Sequence, residues 1–280
     1  MREISCENII ATVERLCIKA ANVLPPALAI LLECASEAEA EGPGLSALCD
    51  IVDNFKYAAE NKIPICQDTG MAMVFADIGQ DVHITGGLFE DAVNEGVRRG
   101  YENGFLRKSI VRDPLRRVNT DDNTPAVLYT RIVAGDRISI QVAPKGFGSE
   151  NMCALKMFLP TSTAEEIEDF VVQAVATAGS NPCPPIFVGV GIGGTADMAM
   201  LQSKRALVRE ADIRNGDEYY ADMERRLLNK INALGIGPQG FGGHFTAVAV
   251  NIEAYPTHIA GLPCAISIGC HATRHAEAVL

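Results

Sequence analysis

The chain has 280 residues, 48% of them apolar, with a mean hydropathy of +0.12 and a formal charge of −11 from 24 basic and 35 acidic side chains. That length and apolar fraction support one large domain or two small ones with a sizeable core, and the acidic balance argues against a nucleic-acid partner. No basic-then-apolar leader pattern opens the chain and no apolar run reads as long enough to span a bilayer, so a cytoplasmic protein with no membrane partner is expected.

Apolar periodicity predicts a helix over residues 4–22 capped by Ser5, a break at Pro25-Pro26, and further helices over 27–40 and 45–60. Cys6, Cys17, Cys34 and Cys49 fall on these patterns and are expected to be core thiols. The chain therefore reads as α/β, with a helical N-terminal segment over 1–60 and a mixed α/β part over 61–280. At the change of character lies Pro64-Ile65-Cys66-Gln67-Asp68-Thr69-Gly70. A thiol beside an amide, a carboxylate and a hydroxyl is not a mixture that packing requires. It suits a loop that holds a ligand thiolate next to groups gripping a polar substrate.

Strands are expected over 71–78 and 82–85, with His83 as a structural histidine, and a helix over 88–102. The cationic stretch Leu106-Arg107-Lys108-Ser109 is either a solvated loop or an anion site, where arginine offers carboxylate a planar bidentate fork. Residues 126–133 and 137–143 read as a hairpin turned at Gly135-Asp136. It feeds the glycine-rich loop 144–151, which lacks the Gly-Lys-Ser/Thr order of a nucleotide triphosphate loop. Cys153, just beyond, is left open between core and other roles. Thr163 begins an amphipathic helix that Gly179 ends.

Cys183 then stands among Pro182, Pro184 and Pro185, fixed on a stiff loop in the manner of a presented ligand. After the strand 186–190, Gly189, Gly191 and Gly194 fit a dinucleotide-binding G-x-G-x-x-G, though Glu210 and Asp212 lie too close for the usual ribose acid. A helix over 217–234, a third glycine-rich loop over 237–244 and strands over 245–252 and 265–268 follow. Cys264 reads as structural, whereas Cys270 sits at a strand exit, where function collects. His271 and His275 are four residues apart and could share a helical face, but no acidic third ligand completes a zinc site.

The segments ICQDTG, KGFGSEN, NPCPPIFVGVGIGGT, GPQGFGGHFTAVAV, THIAGLP and GCHATRHAE span almost the whole chain. In that order they closely resemble the α-type chain of the iron–sulfur hydro-lyases, the class I fumarase and L-tartrate dehydratase family. The resemblance implies one mixed α/β domain of that type over 1–280 and a [4Fe-4S] cluster held by Cys66, Cys183 and Cys270. Three thiolates would leave one iron open as a Lewis acid, as catalysis needs, where four would suit electron transfer. The implied reaction is reversible hydration of a small dicarboxylate: fumarate in the tricarboxylic acid cycle, with L-tartrate as the alternative. By the same resemblance Gln67 and Asp68 contact the substrate, and Asp68 accepts a hydrogen bond from its hydroxyl. Arg107 grips a carboxylate, backbone at Gly148 lines the pocket, and His258 is the catalytic histidine near the cluster. Single-chain members continue into a domain supplying the catalytic base and further cationic residues, whereas this chain stops at Leu280. A separate β subunit in an α₂β₂ assembly is the implied partner. An NAD-binding oxidoreductase and a non-catalytic metal-binding module remain the competing readings.

Overall fold

Three helices start at side-chain caps, Ser5, Thr163 and Asp217, and most strands are runs of β-branched and apolar side chains, in a computed structural model that describes residues 2–280. In order they are β1 (Arg2–Ser5), α1 (Cys6–Asn22), α2 (Pro26–Ala38), α3 (Pro43–Asn61), β2 (Met71–Gly79) and β3 (Val82–Thr85). Next come α4 (Phe89–Asn103), β4 (Val127–Val133), β5 (Ile138–Lys145), α5 (Phe147–Glu150), β6 (Ala154–Phe158) and α6 (Ala164–Ala178). The last third holds β7 (Ile186–Gly193), α7 (Ala196–Ala206), α8 (Glu218–Asn232), β8 (Ala247–Tyr255), β9 (Leu262–Gly269) and β10 (Ala276–Val279). Ser5 caps α1 by accepting from the Asn8 N–H, and Thr163 and Glu166 form a reciprocal capping box on α6. Such a cap contributes about 1 kcal/mol.

Two compact units form, and neither follows a division at residue 60. The first joins residues 2–25, 55–147 and 274–280; the second joins 26–54 and 148–273. In the first unit the sheet order is β10-β5-β2-β4, and β1 pairs with β3 as a separate parallel ribbon. α1 and α4 cover the sheet through a core that includes Ile9, Val13, Leu16, Val97, Val74, Ile140 and Val142. Two glycines allow their close approach, since a Cβ at Gly96 would lie 2.6 Å from Val13 Cβ and one at Gly100 2.8 Å from Cys17 Cβ.

The hairpin expected from 126–133 and 137–143 does not form. β4 pairs with β2 in parallel and β5 pairs with β2 antiparallel, so β2 lies between them. Burial explains the choice: β2 is apolar except for Asp77 and mostly buried, and it takes the centre, whereas β4 carries exposed Thr130 and Arg131 and takes an edge. The turn at Gly135 instead wraps the end of β2, whose Gly79 and Gln80 N–H groups donate to Arg137 and Val133 carbonyls.

In the second unit the sheet order is β6-β9-β7-β8, with β7 and β8 parallel and the other two pairs antiparallel. Side chains alternate along β7. Val188, Val190 and Ile192 join the core formed with Ile167, Val171 and Val175 of α6 and Leu227 and Ile231 of α8. Gly189 and Gly191 face α7, where added Cβ atoms would lie 2.2 Å from the Ser203 carbonyl oxygen and 2.0 Å from that of Ala199. The glycine pattern thus serves helix-on-strand packing. A single parallel pair in a mixed sheet is not the doubly wound parallel sheet that a dinucleotide fingerprint needs.

Other expectations need correction. Cys6 and Cys17 are buried, but Cys34 and Cys49 are exposed, because they fall on the outer faces of α2 and α3. His83 is exposed rather than enclosed. Residues 271–275 are irregular and lead into β10, so His271 and His275 share no helical face. Cys6–Ala38 is, by length and composition, long and apolar enough to cross a membrane. It is nonetheless two helices of 17 and 13 residues interrupted before Pro26, each shorter than the roughly 20 residues a span requires.

Gly191→Ala is expected to lower stability by about 1–3 kcal/mol, because the methyl group would press on helix backbone that cannot move aside. Gly216→Ala, where an added Cβ meets nothing within 4 Å, is expected to be near neutral. Urea denaturation midpoints compare the two; equal effects would remove the packing explanation.

Candidate functional site

In the first unit the loop between α3 and β2 is held from several sides. Gly70 has φ +78°, and a Cβ there would lie 2.8 Å from Lys145 backbone, so only glycine permits the turn. The Tyr101 hydroxyl sits 2.9 Å from both the Thr69 and Gly70 carbonyl oxygens and shares its hydrogen between them. Burial pushes the Tyr101 phenol far above its usual range, which keeps it a donor. Asn123 donates to Gly70 O at 3.2 Å and accepts from the Ser109 N–H at 2.7 Å, joining this loop to the cationic one.

These constraints bring together four of the residues singled out from sequence. The Asp68 carboxylate is oriented by two backbone donors, Gly70 N–H to Oδ1 at 3.0 Å and Phe147 N–H to Oδ2 at 2.9 Å. Cys66 is half-buried, and its Sγ lies 3.5 Å from Gln67 Oε1. Thr69 Oγ1 donates to the Arg107 carbonyl at 3.0 Å, so the exposed Arg107 is tethered beside the loop. Arg274 is 4% exposed and donates to the Asp68 carbonyl, while its Nε has no partner among the described residues.

The second unit assembles a different group. Cys183 precedes β7 and Cys270 follows β9, and Phe187 pairs with Gly269, so both thiols stand at the same end of the sheet. Cys183 has φ +56° and is exposed; Cys270 is half-buried. The Cys183 carbonyl accepts from the His271 N–H at 3.3 Å, and the Pro184 carbonyl accepts from Gln239 through backbone N–H at 2.8 Å and side-chain Nε2 at 2.7 Å. Thr273 folds back to donate to the Cys270 carbonyl from its N–H at 2.9 Å and its Oγ1 at 2.8 Å. Gly269 makes that fold-back possible, because a Cβ there would lie 1.9 Å from Thr273 Oγ1. Gly148 joins this end, its Cβ position 3.5 Å from the Asn181 carbonyl oxygen.

His258 does not join it. Tyr255 pairs with Gly193, and Thr257 Oγ1 donates to Gly194 O, which puts His258 at the far end of β7 from Cys183 and Cys270. Eight residues of strand separate the two ends, roughly 25 Å. His258 is exposed, and its Nδ1 accepts from the Ala260 N–H at 3.1 Å.

The thiols differ in fitness as metal ligands. Burial pushes Cys17 and Cys264 up to about 12, so neither ionises at neutral pH. Cys153 belongs to no apolar core: its Sγ lies 3.5 Å from Glu150 Oε2 and 3.7 Å from Lys204 Nζ, beside a Lys204–Glu150 ion pair. Cys66, Cys183 and Cys270 each sit on irregular backbone and are at least partly exposed, and each offers a soft thiolate of the kind iron–sulfur ligation uses. Among the described residues no group of three or more His, Cys, Asp or Glu side chains is gathered closely enough to hold a metal ion, which applies to His271 and His275 and to the three candidate cysteines alike.

Sequence reasoning missed Tyr101, Asn123, Arg274 and Gln239. A tyrosine on the buried stripe of α4 and a glutamine inside a glycine run were available signals; Arg274 lies within a recognised motif but gave no sign of being buried. For the native, metal-free chain at pH 8, iodoacetamide is expected to label Cys183, Cys34 and Cys49 and to spare Cys17 and Cys264. Peptide mapping reads this directly, and labelling of Cys264 at the rate of Cys183 would contradict the burial.

A family model described as fumarate hydratase (Fumerase) matches residues 10–279. A Methanocaldococcus jannaschii protein, provisionally named L(+)-tartrate dehydratase subunit alpha, is 42% identical over 264 residues, covering 92% of each chain. The L(+)-tartrate dehydratase subunit alpha of Escherichia coli strain K12 is 32% identical over 242 residues, covering 85% of this chain and 79% of that protein. The protein of the same name from Shigella sonnei is similar to the same extent, 32% over 242 residues.

Proposed function

The chain belongs to the fumarate hydratase family, and from that premise we propose that it is the α subunit of a two-subunit hydro-lyase whose reaction is reversible hydration of fumarate to L-malate. The observation that carries this reading is the Cys66 loop. A half-buried thiol, an amide, a carboxylate aimed by two backbone N–H groups and a tethered, exposed guanidinium stand together there.

Each group has a task in that reaction. Arg107 binds one substrate carboxylate through its planar fork and fixes that end of the molecule. Asp68 accepts a hydrogen bond from the substrate hydroxyl through lone pairs its backbone donors leave open. Gln67 supplies an amide to the same substrate, and backbone at Gly148 lines the pocket. Cys66, Cys183 and Cys270 are the proposed thiolate ligands of a [4Fe-4S] cluster. When bound, such a cluster supplies one open iron as a Lewis acid toward the substrate's hydroxyl and carboxylate. His258, at the far end of the second unit's sheet, is assigned no step beside Cys183 and Cys270 of its own chain.

The relatives are named as alpha subunits, which supports a separate β subunit. We assign to it the catalytic base and further cationic groups, in an α₂β₂ assembly. Those names also favour a second reading of the substrate, L(+)-tartrate, in which the same groups would remove water from a dihydroxy-dicarboxylate.

Anaerobically prepared protein is expected to contain about four irons and four acid-labile sulfides per chain, lost in Cys270→Ser. Hydration of fumarate should then appear with the β partner present. Dehydration of L(+)-tartrate without fumarate turnover would select the second substrate, and no sulfide after competent reconstitution would end the cluster reading. Arg107→Lys is expected to raise KM for the dicarboxylate about tenfold with a smaller effect on kcat, through loss of the bidentate fork. Unchanged saturation kinetics would remove Arg107 from the site.

A further inference from the structure

We infer that Gln239, together with its neighbour His271, is a positioning residue for the Cys183 thiolate: it holds the left-handed turn that presents this thiol and ties the turn to Cys270. The inference rests on the ligand assignment above, and it gives a role to the third glycine-rich loop, which the proposed function leaves without one.

Cys183 is not glycine, yet it has φ +56°, a conformation that something outside the turn must hold. Within the turn one backbone bond closes it, Cys183 N–H to the Ser180 carbonyl at 3.0 Å, and few other donors are at hand. Pro182, Pro184 and Pro185 have no N–H, so the segment is poor in donors while its carbonyls still need partners. Gln239 meets that need with two donors on one acceptor, its backbone N–H and its side-chain Nε2, both on the Pro184 carbonyl. The adjacent Cys183 carbonyl takes the His271 N–H, and His271 directly follows Cys270. His271 Nδ1 lies 3.1 Å from Cys183 O and 3.2 Å from Gln239 Nε2, and it serves one of them according to which ring nitrogen carries the hydrogen. A single hydrogen-bonded chain therefore runs from Gln239 through the Cys183 turn to Cys270.

Gln239 is itself held in an unusual conformation, with φ +52°. Its loop is pressed against the turn, since a Cβ at Gly240 would lie 2.5 Å from Ser180 Cβ. Three N–H groups in this loop are already used internally, Gly240 to Gly237 O, Phe241 to Pro238 O and Gly242 to Ile236 O, which speaks against an anion cradle. At the loop's end the buried Glu39 carboxylate accepts from the His244 N–H at 2.9 and 3.0 Å and from the Phe245 N–H at 3.1 Å. Gly243 leaves room for it, because a Cβ there would lie 2.8 Å from Glu39 Oε2. The clamp is thus anchored at one end by a carboxylate and closed at the other on the thiol-bearing turn.

The test uses the full chain as wild type, Gln239→Leu and Gln239→Glu, the last an isostere whose carboxylate cannot donate. In metal-free protein, hydrogen exchange read by mass spectrometry is expected to accelerate about tenfold at the Cys183 and His271 amides, the factor given by one lost hydrogen bond of ordinary strength. Amides in α1 and α8 are expected to keep their wild-type rates. With the cluster reconstituted, chelator-driven iron loss is expected to quicken by about 10–100-fold, the range for residues that orient metal ligands. Wild-type exchange at Cys183 and His271 in both variants would overturn the inference. So would wild-type behaviour of Gln239→Glu alone, which would show that shape rather than donation matters, or equal acceleration across α1 and α8. If wild-type protein assembles no cluster, the ligand assignment fails, while the exchange rates still decide whether Gln239 holds the turn.

Discussion

A thiolate that is to bind a metal has to leave the regular structure around it, and backbone that leaves helix or sheet must find other partners for its N–H and C=O groups. Every candidate ligand in this chain meets that constraint in the same way. The Thr69 and Gly70 carbonyls of the Cys66 loop are taken by Tyr101 and Asn123, those of Cys183 and Pro184 by His271 and Gln239, and that of Cys270 by Thr273. Each donor comes from residues outside the turn it holds or folds back over it. The three loops are irregular yet hydrogen-bonded, and their thiols stay at least partly exposed.

Glycine makes these arrangements possible where backbones must nearly touch. Gly70 turns against Lys145, Gly269 admits the Thr273 hydroxyl, and Gly243 admits the Glu39 carboxylate. Gly189 and Gly191 do a different job, letting α7 lie against β7 at backbone contact. One residue type thus serves both ligand presentation and core packing. A glycine spacing alone cannot tell these apart, since what matters is the atom that would meet the missing Cβ.

Charge is placed with similar economy. Arg274 is almost wholly buried behind the Asp68 loop, although a buried guanidinium is costly unless its hydrogens find acceptors. The Asp68 carbonyl meets part of that demand, and the Nε has no acceptor among the described residues. Glu224, fully buried, accepts from the Ile252 N–H at 2.8 Å and the Asn215 N–H at 3.0 Å besides pairing with Arg209. Two non-glycine residues stand at positive φ, Cys183 and Gln239, and Gln239 donates to the carbonyl of Pro184, the residue after Cys183; each such conformation costs about 1–3 kcal/mol.

The helices of this chain were legible because capping and a 3.6-residue apolar period are local properties: Ser5, Thr163 and Asp217 start their helices as read. Most strands were legible for the same reason, and so were Cys66, Cys183 and Cys270 as thiols held out on loops, through proline, glycine and polar neighbours. Pairing was not, since β2 displaces β4 from β5 by being the more apolar strand, a comparison between segments far apart in sequence. Nor was the exposure of Cys34 and Cys49, which depends on which helix face finds a core. The roles of Tyr101, Arg274 and Gln239 and the remoteness of His258 from Cys183 and Cys270 were likewise decided by tertiary structure. The sequence by itself determined the local elements and the chemical types of the site, because capping, periodicity and reactivity belong to neighbouring residues. Only the fold decided which donors satisfy which carbonyls and which side chains share one end of a sheet, because those are contacts between residues that the chain order keeps apart.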